Sequence, residues 1–214
     1  SYMEQHPDVG SCTGKLVFRS DPTKIDSTGL RIRRNRRVFD RGANEPEAMW
    51  NEESEVFGVS GAAAVYSRAM VESIWIDGEF FDEAFFAYKE DVDVAWRARL
   101  AGWKAMYLPR AIAYHERGWK QGERARKPLN IRKHSYINRY RMLLKNDQLS
   151  NFLRESYHIL PYEFASFIYL LLREPKVLSA WVDFWRDWKN ILAKRRKIQA
   201  RRSGDWSSLY RFFE

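Results

Sequence analysis

Beyond Arg117 every long segment of this 214-residue chain carries apolar residues at helical spacing: "NIRKHSYINRYRMLLKN" (130–146), "LPYEFASFIYLLLRE" (160–174) and "PKVLSAWVDFWRDWKNILAKRRKIQARR" (175–202). In the last of these, Trp181, Phe184, Trp185, Trp188, Ile191 and Leu192 share one face, with Asp183, Arg186, Asp187, Lys189 and Lys194 elsewhere. Rings on one side of a helix need cover, and two surfaces supply it: the rest of the protein, or a lipid headgroup layer. Six of the nine residues 194–202 are Lys or Arg, which suits the second. None of these segments is expected to span a bilayer, since "ILPYEFASFIYLLL" gives 14 residues including a Glu, against the ~20 that a crossing needs.

The first half has a different texture. "KLVF" (15–18) reads as a short strand, and "DPTKIDSTG" (21–29) as turn and loop from its Asp-Pro and Gly. "RIRRNRRVFDRG" (31–42) holds six Arg in eleven positions and reads as a solvated loop or as an arm that touches an anionic substrate. "VFGVSGAAAVYS" has the residues of a buried strand interrupted by Gly58 and Gly61, where backbone can approach another group. "SRAMVESI" predicts a short helix capped by Ser67. From Glu90 to Leu100, Val92, Ala95, Trp96 and Leu100 form one stripe of an amphipathic helix that Gly102 stops. "KAMYL" and "AIAYH" flank Pro109 as two short strands, the second ending at His115.

Charge divides the chain in the same place. Residues 1–118 carry 16 Lys+Arg against 19 Asp+Glu, a net of −3, and residues 119–214 carry 21 against 9, a net of +12. A cationic half points to an anionic partner. With nine Trp, eleven Tyr and thirteen Phe the chain can bury enough surface to fold. Cys12 is its one cysteine, which excludes an internal disulfide and a thiolate metal cluster and fits a reducing compartment.

Glu90, Asp91 and Asp93 stand at the start of the expected helix, and three readings are open for them. The first is a plain helix start, where carboxylates meet free N–H groups and the positive end of the dipole. Asp91-Val92-Asp93 has the form of a metal-binding Asp-x-Asp, but residues two apart on a helix point about 200° apart. One of the carboxylates can also serve as a general base at the rim of a pocket.

Residues 56–118 resemble the second half of the catalytic domain of family 2 glycosyltransferases of the GT-A fold, bacterial rhamnosyltransferases in particular. The shared pattern is a Gly-Ala-Ala segment, then "FDEAFFAYKEDVD", Trp-Arg-x-Arg, Gly-Trp, Pro-x-Ala and a closing His. "PDVGSCTGKL" (7–16) resembles the segment that precedes this block, and the helical tail resembles the extension of rhamnosyltransferase-like members. The resemblance implies Asp91 as catalytic base, with Glu90 shaping the acceptor side. It places Gly61, Ala62 and Ala63, with Asp93, Trp96 and Arg97, at the substrates, and His115 as a ligand of the divalent cation, Mg or Mn, that holds the donor diphosphate. A lone His at a strand end is also a common hydrogen-bonded structural residue.

The expected fold is therefore α/β: a partial GT-A, Rossmann-like domain with a short mixed sheet over 1–118, followed by an all-helical extension over 119–214. The implied partners are a nucleotide-sugar donor (dTDP-linked), a glycan or polyprenyl-diphosphate-linked acceptor, and an anionic membrane surface met through 175–202 at the inner face of a bacterial plasma membrane. No Gly-rich strand-to-helix turn precedes residue 56, so these residues are expected to hold the acceptor and base half of a site and to lack the nucleotide-binding half. The alternative is a non-enzymatic basic module that binds membrane or nucleic acid; no nucleic-acid-binding pattern is present, and nucleic acid is not the expected partner.

Overall fold

The computed structural model describes residues 2–117, 126–204 and 206–214, so the boundary expected at 118 lies outside the described residues. After a short helix α1 (Tyr2–Gln5), strands β1 (Val9–Phe18), β2 (Asp21–Ser27), β3 (Leu30–Ile32), β4 (Val38–Asp40), β5 (Ser54–Glu55) and β6 (Val65–Tyr66) precede α2 (Arg68–Ile74) and α3 (Glu90–Leu100). Strand β7 (Lys104–His115) closes this part. Helices α4 (Leu129–Asn146), α5 (Leu149–Arg154), α6 (Ser156–Arg173), α7 (Ala180–Arg186), α8 (Trp188–Ala200) and α9 (Trp206–Tyr210) follow. The result is a curled mixed sheet followed by a largely helical region.

The sheet runs β2-β1-β7-β5, with β6 also on β1. Its centre is the parallel pair β1 and β7, while β2, β5 and β6 join antiparallel. "KAMYL" and "AIAYH" are two halves of this one strand β7. Gly14 pairs with Leu108 and Lys15 with Ile112, so residues 109–111 bulge out of the ladder. Pro109 has no N–H to donate, and the bulge removes it from the register. Gly14 admits the bulge: a Cβ there would stand 2.2 Å from the Ala111 carbonyl oxygen.

Two loop expectations are corrected. Residues 21–27 form β2, whose last three residues, Ile25, Asp26 and Ser27, are all buried. The arginine-rich run is the hairpin β3–β4, turned at Arg36 (φ 64°). Arg36 is buried against Asp147, 2.8 Å away at the end of α4. A charge run counted from sequence cannot reveal that one member has a carboxylate waiting on another element. Conversely, most of "VFGVSGAAAVYS" is irregular, and only Val65–Tyr66 is strand.

Helices α2 and α3 form where expected. The Ser67 side chain accepts from Met70 N at 3.2 Å, and Gly102 (φ 88°) ends α3. Trp96 is fully buried, edge-on to Phe57 and Phe213, in a core that also holds Leu30, Ile32, Met142, Leu143 and Ile198. The main core therefore draws on both halves of the sequence.

Charge reinforces this join. Asp93, with no exposed surface, accepts from Arg97 (2.9 Å), Lys145 (3.0 Å) and Asn146 (2.8 Å). Lys145 and Lys194 also clamp Asp82, at 2.5 and 2.8 Å. Ions this deep are tolerated because each is paired and hydrogen-bonded. Burial alone would raise the Asp82 pKa, but the two ammonium groups outweigh it and hold the carboxyl at about 2.

The aromatic stripe of 175–202 is turned inward. Ala180, Phe184 and Ile191 are buried with Ile137 of α4, and Trp181 and Trp188 pack against them. Most of the apolar face expected to meet a membrane is therefore taken up by α4, although Val182 and Trp185 stay exposed.

Candidate functional site

The first turn of α3 stands at the wall of a cavity of about 520 Å3, lined also by the β3–β4 hairpin, Ser60, α4 and α6. A wider cleft of about 1300 Å3 adjoins it and ends at His115. Val38, Phe39, Asp40, Ser60 and Tyr88 border both, so the two are lobes of one depression.

Asp91 is half-buried on the first lobe. Its Oδ2 accepts from Gly61 N at 3.0 Å and its Oδ1 from Val92 N at 2.8 Å. Burial raises its pKa, the two backbone amides oppose the rise, and the charge of Asp40 adds to it. A carboxylate with a raised pKa is a stronger proton acceptor when ionised. Glu90 stands beside the cavity rather than on it. Its Oε2 is buried without a hydrogen bond among the described residues, and burial, followed by the neighbouring Asp91 charge, raises its pKa against the opposing pull of a backbone amide.

The loop that delivers Asp91 is strained. Phe86, Tyr88 and Lys89 all have positive φ (56°, 69° and 70°), conformations that cost a non-glycine residue about 1–3 kcal/mol and persist only where their surroundings impose them. They are imposed from the helical region: Asn138 Nδ2, fully buried on α4, donates to the carbonyls of Phe85 (2.7 Å), Ala87 (2.9 Å) and Tyr88 (2.9 Å). Lys89 Nζ reaches the Ser135 carbonyl at 2.7 Å. Strain held in place beside a cavity is a common sign of function.

Cations and aromatic rings line the same cavity. The Arg37 guanidinium lies over the rings of Phe39 (4.6 Å) and Tyr162 (5.0 Å), and Arg139 lies over Tyr162 at 4.8 Å. Arg139 also donates to the carbonyls of Asn35 and Arg36 and to Glu163, which ties the hairpin to α4 and α6.

In the second lobe, His115 Nδ1 is 2.6 Å from Asp26 Oδ2, and Arg117 bridges Asp26 and Asp40. An aspartate fixing one ring nitrogen leaves the other for the cleft, the arrangement that orients ligating and proton-transferring histidines. A metal needs more donors than this. Among the described residues no group of three or more His, Cys, Asp or Glu side chains converges on such a site, so the set present does not hold the implied cation by itself.

The remaining expected contacts divide. Gly61 gives its N–H to Asp91, and Ala62 lines the second lobe. The Ala63 carbonyl is taken by the Thr13 hydroxyl at 2.9 Å. Asp93, Trp96 and Arg97 are overturned as substrate contacts. The first and last are consumed in the buried ion network, Arg97 donating also to the carbonyls of Ile74 and Phe80, and Trp96 fills the core. A shared motif cannot separate residues that touch substrate from residues that hold the helix. The sequence reading missed Asp26, Asp40, Arg37 and Asn138. Alternation across "KIDST" was a faint signal for Asp26; nothing local marks Asn138.

Comparisons with protein-family models, curated proteins and solved structures return no match.

Proposed function

We propose that this chain is the acceptor and base part of an inverting glycosyltransferase of the family 2, GT-A type. The observation that carries the reading is the Asp91 carboxylate, held by the Gly61 amide on the wall of a cavity. In the reaction, the acceptor oxygen bonds to the anomeric carbon of the donor. The bond from that carbon to the diphosphate breaks, its electron pair leaves with the phosphate, and the acceptor proton passes to Asp91. The raised pKa of Asp91 suits that last transfer. The Arg37 and Arg139 wall suits a sugar acceptor bearing phosphate, since guanidinium groups stacked on rings keep their donors oriented.

The donor is proposed as a dTDP-linked deoxyhexose such as rhamnose, the acceptor as a glycan or a polyprenyl-diphosphate-linked sugar, and the place as the cytoplasmic face of a bacterial plasma membrane. These follow from the resemblance of residues 56–118. A divalent cation is part of the same proposal, with donors beyond His115 supplied from outside the described residues. Nucleotide binding is assigned elsewhere, because no α-helix lies between β1 and β5 among the described residues.

Calorimetric titration with a panel of alkyl glycosides tests the acceptor site. A saturable site is expected, weakened by Gly61→Leu, whose side chain crowds Asp91 and the cavity wall; no saturable binding across the panel overturns the reading. Incubation of the chain with dTDP-rhamnose and acceptor is expected to give no turnover above the blank, and robust turnover would overturn the placement of donor binding elsewhere.

A further inference from the structure

Among the described residues, α5 and α6 carry a run of exposed apolar side chains. Leu153, Tyr157, Leu160, Phe164, Phe167 and Leu171 recur every three or four residues, and all are exposed. Leu149 extends the stripe at one end and Leu172, 73% exposed, at the other. The stripe survives the junction of the two helices because helical hydrogen bonds cross it, from Glu155 N to Asn151 O (3.0 Å) and from Ile159 N to Glu155 O (3.1 Å). Contiguous exposed apolar surface of this kind marks an interaction site.

Charge selects the occupant. Between Leu149 and Arg173 the charged residues are Arg154, Glu155, Glu163 and Arg173. Both carboxylates are turned in: Glu155 is buried, and Glu163 is taken by Arg139 and Tyr140. Both arginines are exposed, as is Lys176 just beyond. The face thus presents apolar side chains edged by cations, with its anions withdrawn. A second copy of the chain would bring together two molecules of net charge +9 with cations at the edge of each face, which repel, whereas anionic headgroups neutralise them. No helix among the described residues is long and apolar enough to cross a membrane, so a helix of this pattern lies along the surface.

We propose that the exposed face of α5–α6, residues 149–173, docks this protein on anionic lipid bilayers. The docking stands independently of the transferase reading. One corollary rests on that reading: α6 turns Tyr162, Ser166 and Leu170 to the Asp91 cavity, so an acceptor anchored in the same bilayer lies close to the base.

Flotation with vesicles of equal parts phosphatidylglycerol and phosphatidylcholine tests the surface. Binding is expected at low salt, with loss on pure phosphatidylcholine. Leu160→Glu with Phe164→Glu should weaken partitioning by about tenfold or more, and Arg173→Gln by about fivefold, while Trp185→Glu changes it little. Hydroxyl-radical footprinting of the wild-type chain needs no variant: vesicles should protect Tyr157, Phe164 and Leu172 and leave Trp185 reactive. Absence of binding, binding unchanged in the Leu160/Phe164 variant, or a dimer in solution that protects the same residues without lipid each overturns the proposal. Glycoside titration is unaffected by any of these outcomes, so the two readings fail separately.

Discussion

Asp91 and Asp93 are two residues apart on one helix and have opposite situations. Asp93 points into the protein and is surrounded by Arg97, Lys145 and Asn146. Asp91 points to a cavity and is held by two backbone amides. The half-turn of a helix between positions i and i+2 separates a carboxylate that joins two parts of the molecule from one that faces a cavity. Removing each in turn should expose the division. Asp93→Asn leaves Arg97 and Lys145 underpaired in the interior and is expected to cost about 3 kcal/mol or more by urea denaturation. Asp91→Asn keeps an oxygen for Gly61 N–H and discards a desolvated charge, so stability should change by less than about 1 kcal/mol. In any preparation that turns over sugar nucleotide, it should lower kcat by about 10²–10⁴-fold. Equal stability losses at both positions would dissolve the distinction.

The same division predicts a smaller effect at Asn138, which acts on the Asp91 side from the helical region. Asn138→Ala removes the donor shared by three carbonyls of the strained loop, at an expected cost of about 2 kcal/mol. A positioning role adds a signature that a purely structural one lacks: glycoside affinity should fall even under conditions where the variant is fully folded.

Acid should probe the Asp93 side. The Asp82 carboxyl in the same network is held at about 2, against an ordinary 3.8, despite its burial, because Lys145 and Lys194 outweigh the desolvation. A folded-state value below the unfolded one means that the contribution is complete above about pH 4 and is lost as pH falls toward 2. Stability should drop by about 2 kcal/mol over that window. Lys194→Met should flatten this acid limb. The raised Asp91 value works in the opposite sense: folding favours its protonated form, so its contribution falls as pH rises through the folded-state value. In the proposed reaction, proton acceptance by Asp91 requires the higher pH side of that value.

Much of this was legible in the sequence where the determinants are local. Ser67 three residues before Met70, the stripe from Val92 to Leu100 and Gly102 after it are sufficient to define α2 and α3. The placement of a cationic tail after a mixed sheet was equally visible. What escaped depends on partners remote in the chain. Arg36 needs Asp147, Asp26 needs His115, and the loop before Asp91 needs Asn138. Helical periodicity found the aromatic face of 181–192 and marked 160–174 as helical, but it could not assign a partner to either: 180–191 meets Ile137 and is largely covered, while the exposed stripe of 153–171, which begins before the segment read as helical, remains open. Amphipathicity states that a face needs a partner; only tertiary contacts state which one it has.

The gentlest test of the Asp91 side is Gly61→Ala. A Cβ at this position would sit 3.5 Å from Asp91 Cβ and 3.7 Å from Oδ2, ordinary contact distances. Gly61 does not have positive φ, so alanine meets no backbone strain there. Its N–H remains to hold Asp91, and the unfolded chain loses freedom, so stability should rise by about 0.5 kcal/mol. The new methyl group nevertheless stands beside the carboxylate at the cavity wall. Glycoside affinity should therefore fall while denaturation shows a protein as stable as before or more so. Unchanged affinity would indicate that acceptors, if they bind, do not approach Asp91 past Gly61, and would shift attention to the second lobe, where Asp26 holds His115.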